Sequence, residues 1–148
     1  MGSDVDLILA RAAERPDHVL ARVAAAYACD RSGREDDAIR HYDAAWRLGV
    51  PGEHRRRFVV GYGSTLRGVG RLEESVAILG EAIAEDPGYP PFKAFLALSL
   101  HAMGERSAAI AAMLDALLEV AGGGSLDGYE AALADQQREL LDDALARR

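Results

Sequence analysis

Several features are scarce in this 148-residue chain, and each scarcity excludes a class of protein. A single cysteine, Cys29, allows neither an intramolecular disulfide nor a metal site built from several cysteines. No apolar run reaches the roughly 20 residues of a membrane-spanning helix. Basic residues number 17 against 24 acidic ones, and the net charge of −7 argues against a protein dedicated to nucleic acid. We therefore expect neither a membrane nor a nucleic acid as partner.

Side-chain patterns typical of an active site are also missing. The 4 histidines lack the spacing of a metal site, and the glycines at 122–124 are not followed by the lysine of a phosphate-binding loop. The acidic pair Asp36-Asp37 falls in a first helical turn, where it favours the helix dipole. We predict a protein that is not an enzyme, with no catalytic residue, cofactor or metal. Residues 1–4 lack the basic and apolar parts of a secretory signal, so we expect a cytoplasmic protein.

Three short segments of the chain repeat one pattern. Each begins at a turn glycine, and Gly33, Gly70 and Gly104 are 37 and 34 residues apart. A period of this size, with helical spacing of apolar residues on both sides of a turn, predicts an α-solenoid built from helix pairs. After each glycine come a small residue, an apolar or aromatic residue and an alanine: Ala38, Tyr42 and Ala45; Ser75, Leu79 and Ala82; Ala109, Met113 and Ala116.

The apolar periodicity predicts an all-α fold. No segment alternates with a period of two, so we expect no sheet. Ser3 and Asp6 are predicted to form a capping box on the first helix, and Asp17 to cap the second. The predicted helices cover about 3–15, 18–32, 35–48, 53–69, 72–85, 90–103, 106–120 and 126–146.

These segments resemble the tetratricopeptide repeat, a helix–turn–helix unit of 34 residues. Ala26, Gly63 and Ala97 match the small residue late in its first helix, and Pro87 matches the proline that ends a repeat. The early tryptophan of many members is absent, which makes the chain similar to a divergent, bacterial-type branch. The resemblance, over about residues 3–121, implies a right-handed α-solenoid, and the amphipathic last helix is predicted to cap it at the C-terminal end. Its single domain, 1–148, would contain a leading half repeat at 3–15, repeats at 17–50, 53–87 and 88–121, and the capping helix at 126–147.

The resemblance also implies that the first helices of the repeats line a concave groove that binds peptides or other proteins. Helical spacing nominates the residues on the groove face. Many are apolar, so the groove takes a peptide or helix of another protein, or it is covered by the chain's last helix or by a second copy. The nominated residues are Leu20, Val23, Tyr27 and Arg31; Arg57, Val60, Ser64 and Arg67, with Gly61 beside them; and Pro91, Ala94, Phe95, Leu98 and His101.

Two features of the groove bear on what it binds. The carboxylate clamp of the family would fall on positions where only the Tyr27 hydroxyl can donate a hydrogen bond, so binding of chaperone tails through that clamp is not expected. The basic cluster at 55–57, with Arg67 on the same face as Arg57, is either a solvated start of a helix or a site for an acidic peptide segment or a phosphate. The clamp positions are Val23, Tyr27, Gly61, Pro91 and Phe95.

Helix 106–120 is predicted to have a broad apolar face that its pair partner cannot cover fully. We expect the last helix to pack on this face, although the glycines at 122–124 would also let it dock onto a second chain. The apolar face contains Ile110, Met113, Leu114, Leu117 and Leu118. The last helix would turn Leu126, Tyr129, Leu133, Leu140 and Leu141 inward, and Glu130, Asp135, Arg138 and Asp142 outward.

The sequence as a whole predicts a protein-interaction module whose partner is a protein or peptide of unknown identity. One alternative is a structural homo-oligomer, such as a homodimer, that uses the groove or the last helix for self-association. Another is a regulatory helical domain that binds a small ligand in the same groove.

Overall fold

The computed structural model describes residues 2–148, and its regular elements are all helical. No strand occurs within that range, which confirms the predicted all-α class. Most predicted bounds agree with the observed ones to within one or two residues. The helices are α1 (Asp4–Glu14), α2 (Val19–Arg31), α3 (Glu35–Leu48), α4 (Gly52–Gly68), α5 (Leu72–Glu85), α6 (Pro90–Ala102), α7 (Arg106–Val120) and α8 (Glu130–Ala146).

The helices group into two compact units that divide between Arg71 and Leu72. In unit 1, α1 packs on α2, α2 on α3 and α3 on α4, and α2 also contacts α4. In unit 2, α5 packs on α6, α6 on α7 and α7 on α8. Within each unit, this packing of consecutive helices is the arrangement of a helical repeat protein. The division into one domain with three repeats stays a prediction.

The repeated glycine pattern corresponds to one turn that is used three times. Gly33, Gly70 and Gly104 have φ angles of 74°, 83° and 82°, in the left-handed region that glycine adopts without strain. The residue after each glycine donates its backbone N–H to a carbonyl five residues earlier, which closes the helix end as a Schellman turn. These three hydrogen bonds join Arg34 to Cys29 (2.9 Å), Arg71 to Leu66 (2.8 Å) and Glu105 to Leu100 (2.9 Å).

Unit 1 is organised around aromatic side chains from α3 and α4. Tyr42 and Phe58 are fully buried with ring centroids 5.4 Å apart, and Tyr62 stacks on Tyr42 at 5.6 Å. Small residues let the helices approach this closely, since Ala26 is fully buried and Gly63 is buried too. Beside the cluster, Arg71 donates to the Asp43 carboxylate at 2.8 Å.

The core of unit 2 combines apolar residues with one buried polar pair. Leu79 of α5 and Phe92 of α6 are almost completely buried, as is the small residue Ala97. Between α5 and α6, the hydroxyl oxygens of Ser75 and Ser99 lie 2.7 Å apart, and both residues are fully buried. This hydrogen bond satisfies polar atoms that would otherwise be costly to bury.

The last helix differs from its prediction in both start and orientation. It begins at Glu130 rather than near Leu126, because Asp127 and Gly128 have φ angles of 50° and 83°, which a helix cannot include. It packs on α7 as expected, with Ala144 buried. The hydroxyl of Ser107 on α7 donates to the Asp143 carboxylate. The predicted inward face is correct only in part: Leu126, Leu133 and Leu140 are half-buried, whereas Tyr129 and Leu141 are exposed, and Glu130, expected outward, is half-buried.

The predicted N-terminal cap is correct for α1 and wrong for α2. Ser3 and Asp6 form the predicted capping box on α1. On α2, the cap is His18 instead of Asp17, because the His18 Nδ1 accepts the backbone N–H of Ala21 at 3.2 Å. An imidazole nitrogen thus accepts the hydrogen bond that an aspartate, serine, threonine or asparagine oxygen usually accepts at this position.

Candidate binding surfaces

A small pocket opens on unit 1 where α2, α3 and α4 meet. Its volume is about 210 Å³. Five of its residues are among those nominated from the sequence: Tyr27 and Arg31 on α2, and Arg57, Val60 and Gly61 on α4. The pocket is completed by Asp30 and Tyr42.

One wall of the pocket is a stacked pair of side chains. The Arg57 guanidinium carbon lies 4.5 Å from the centroid of the Tyr27 ring, within the range of a cation–π contact. The Tyr27 hydroxyl oxygen is buried and has no hydrogen-bond partner among residues 2–148. Burial raises the pKa of Tyr27, and the nearby Arg57 charge opposes this only in part. The hydroxyl therefore stays protonated at neutral pH and remains available as a donor.

The floor of the pocket is formed by Tyr42 and Gly61. Tyr42 donates its hydroxyl to the Asp30 carboxylate at 3.0 Å, so one oxygen of Asp30 is occupied by the protein itself. A Cβ atom placed on Gly61 would lie 2.4 Å from the Tyr42 hydroxyl oxygen, closer than real Cβ atoms come. Gly61 is therefore the residue that lets α4 pass over Tyr42 and keeps the pocket open.

The arginines of unit 1 differ in how their charge is used. Arg34 and Arg40 pair with Asp37, and Arg71 pairs with Asp43. Two arginines of the predicted basic cluster contact different aromatic rings. The guanidinium carbon of Arg55 lies 5.3 Å from the centroid of the Trp46 ring, and that of Arg57 lies over Tyr27. Three nominated arginines, Arg31, Arg57 and Arg67, have no carboxylate within ion-pair distance among the described residues. The Nε atom of Arg67 is buried and also lacks a hydrogen-bond partner there.

A second, larger surface lies within unit 2, between the start of α6 and one face of α7. This apolar groove has a volume of about 780 Å³ and no charged residue in its lining. Ile110 and Val120 are 52% and 64% exposed there. The groove is lined by Tyr89, Pro90, Pro91, Ala94, Ile110, Met113, Leu114, Ala116, Leu117 and Val120.

The apolar groove corrects the prediction that α8 would cover this face of α7. Leu114 and Leu118 are half-buried, but Ile110, Met113 and Leu117 stay exposed. On another side of α7, the Lys93 ammonium from α6 bridges Asp115 at 3.0 Å and Glu119 at 2.8 Å. The apolar face therefore remains open although α7 has a helix packed on each side.

A family model described as Tetratrico peptide repeat matches residues 19–140, most of the chain. The chain belongs to the tetratricopeptide repeat family. Comparison with curated proteins found no match. Repeats of this family are generally non-enzymatic modules for protein interaction, so the family supports a protein partner. The match extends from the start of α2 into α8 and thus contains both candidate surfaces.

The remaining nominated residues of this tetratricopeptide repeat chain lie outside the pocket of unit 1. On α2 and α4, Val23 is buried and Ser64 and Arg67 are half-buried. On α6, Phe95 is half-buried and Leu98 and His101 are exposed, and none of the three lines the apolar groove. Pro91 and Ala94, nominated with them, do line it.

Two pocket residues escaped the sequence analysis as site residues. Tyr42 stands at the apolar or aromatic position of the repeated pattern and is not on a first helix, and Asp30 stands one residue before a nominated position. The sequence offers one signal of a polar role here: Tyr42 carries a hydroxyl at the repeat position where the other two repeats have the apolar Leu79 and Met113.

The described residues contain neither a cluster of metal-ligating side chains nor a helix suited to a membrane. Among residues 2–148, no group of three or more His, Cys, Asp or Glu side chains is placed to hold a metal ion. Cys29 is buried, and burial raises the pKa of its thiol. None of the described helices has the length and apolar character needed to cross a membrane.

Proposed function

We propose that this chain is a non-catalytic interaction module that binds a peptide segment of another protein at the pocket of unit 1. The observation that carries the proposal is the convergence of nominated residues from two first helices, α2 and α4, on one pocket. A peptide-binding surface needs apolar contact with a few directional polar groups. Val60 and the Tyr27 ring supply the first, and the guanidinium groups supply the second.

The size of the pocket favours a peptide over a small ligand. Pockets that enclose a drug-sized molecule measure roughly 300–1,000 Å³. A volume of about 210 Å³ holds one or two side chains. The rest of a bound peptide would lie along α4 toward Ser64 and Arg67, which follow Arg57 on the same helix face.

Selection from a displayed library of random dodecamer peptides tests this function. We expect the wild-type chain to enrich a family of related peptides, whose affinity is then measured by fluorescence anisotropy. Val60→Asn replaces the apolar contact on the pocket wall by a neutral polar group and should weaken binding by about fivefold or more. Leu7→Asn makes the same change at an exposed position of α1 and should change little. No enriched peptide, or equal affinity for both variants, would contradict the proposal.

A second candidate function, a structural homo-oligomer, is favoured by the apolar groove of unit 2. Exposed apolar faces of this kind mark interaction sites. If the groove joins two copies, light scattering after size exclusion should give a dimer for the wild type and a monomer for Met113→Glu. Leu98→Glu, an exposed apolar position outside the groove, serves as the control. A wild type that stays monomeric at high micromolar concentration would exclude this role for the groove.

A further inference from the structure

The charges of the unit 1 pocket are only partly balanced within the protein. Arg31 and Arg57 both line the pocket, and neither has an ion pair with any residue of 2–148. The only carboxylate in the lining, Asp30, lies beyond ion-pair distance from both and accepts the hydroxyl of Tyr42. In a chain with 24 acidic residues, two exposed arginines line one pocket, and neither is held in an ion pair.

The unpaired Tyr27 hydroxyl is a second, independent observation at the same place. Buried polar side-chain atoms nearly always have a hydrogen-bond partner, and an exception needs an explanation. This hydroxyl belongs to a residue that lines the pocket. A ligand that brings an acceptor oxygen would satisfy it.

We propose that the pocket recognises the side-chain carboxylate of a glutamate or aspartate in the bound peptide, held by Arg31 and Arg57 with the Tyr27 hydroxyl as a further donor. This inference rests on the proposed peptide-binding function and names the group that the pocket reads. A cationic side chain is disfavoured because it would face two guanidinium groups. The lining has two positive charges and one negative charge, so a monovalent carboxylate balances it, whereas a doubly charged phosphate would leave the occupied pocket with a net negative charge.

Binding requires one local change. The Tyr27 hydroxyl oxygen is buried, so the side chains around it, among them Arg57 over the Tyr27 ring, have to shift to let the carboxylate reach it. A guanidinium–ring contact is weaker than a charge-assisted, two-pronged bond to a carboxylate. Arg57 is thus held near the site by the Tyr27 ring in the free protein, and on binding its guanidinium exchanges this contact for one with the ligand carboxylate. The fixed floor of Tyr42 and Gly61 does not have to move.

Acetyl-glutamate amide, which contains a single carboxylate, tests the pocket chemistry directly. We expect saturable NMR shifts of the Nε–Hε groups of Arg31 and Arg57 with this probe. Its glutamine analogue should cause none, since it has the same shape without the charge. Arg57→Gln should weaken binding of the probe at least about tenfold, and Tyr27→Phe should weaken it less. Arg106→Gln, an exposed arginine of unit 2, removes the same charge elsewhere and should leave binding unchanged.

Three results would overturn the proposal: equal shifts with both analogues, binding that Arg57→Gln leaves intact, or a phosphoserine amide that binds more tightly than the glutamate probe. The selected peptides separate this failure from failure of the proposed function. If they bind in a way that depends on Val60, but replacing their acidic residue by glutamine costs nothing, peptide binding stands and carboxylate recognition falls. If no peptide is enriched while the glutamate probe binds at Arg57, the pocket chemistry stands and the peptide function falls.

Discussion

Replacing Gly61 by alanine is expected to lower the free energy of unfolding by about 2–3 kcal/mol, because the new methyl group collides with a buried side chain. The added Cβ would lie 2.4 Å from the hydroxyl oxygen of Tyr42 and 3.2 Å from Cζ, the ring carbon that bears this hydroxyl. Tyr42 cannot retreat, since it is fully buried between Phe58 and Tyr62 and its hydroxyl is bonded to Asp30. Helix propensity alone predicts the opposite sign, because alanine is better than glycine in a helix by about 1 kcal/mol.

Chemical denaturation of paired variants distinguishes the collision from a general effect of helix glycines. Gly80→Ala is the matched control, since no atom lies within 4 Å of the position of its Cβ. It should raise stability by up to about 1 kcal/mol. Adding Tyr42→Phe to Gly61→Ala removes the closest atom and should restore part of the loss. A Gly61→Ala variant as stable as the wild type would show that α4 does not approach Tyr42 this closely.

Deleting residues 125–148 is expected to destabilise unit 2 and to make the chain aggregate. The deletion removes α8, whose half-buried Leu133 and Leu140 and buried Ala144 cover one side of α7. Half-burial of two leucines and loss of the alanine contact correspond to a cost on the order of 3 kcal/mol. The hydrogen bond from Ser107 to Asp143 is lost as well. The newly exposed side of α7 would add to the apolar groove that is already open, and a repeat array without a polar end helix tends to associate.

Point variants of α8 give the control for this deletion. Leu140→Ala should cost about 1–2 kcal/mol, whereas Leu145→Ala, at a position that is 66% exposed, should stay within about 0.5 kcal/mol. Thermal melting and light scattering measure both the stability and the association state. A truncated chain that stays soluble, monomeric and as stable as the wild type would show that α8 contributes no cap and acts as an arm.

The helices and the turns between them could be predicted from the amino-acid sequence, because they depend on neighbours along the chain. A left-handed glycine and a hydrogen bond to the fifth residue back need only local atoms, so Gly33, Gly70 and Gly104 were identifiable from spacing alone. Burial of Ala26, Gly63 and Ala97 was predictable for a related reason, since one small residue per repeat at the same distance from the turn marks where helices pack closely. Helical periodicity likewise places Tyr27 and Arg31 on one face of α2, and Arg57 and Val60 on one face of α4.

Contacts between side chains of different helices could not be predicted in this way. The contact of Gly61 with Tyr42, the lone Tyr27 hydroxyl and the bond from Tyr42 to Asp30 depend on the distance and rotation of α2, α3 and α4. The same holds for α8, where Ala144 and the Ser107–Asp143 bond set a rotation that exposes Leu141 and leaves Ile110, Met113 and Leu117 of α7 open. Periodicity gives the width of an apolar face, but a rotation of one residue about the helix axis, set by packing against the neighbour, decides which part of that face is covered.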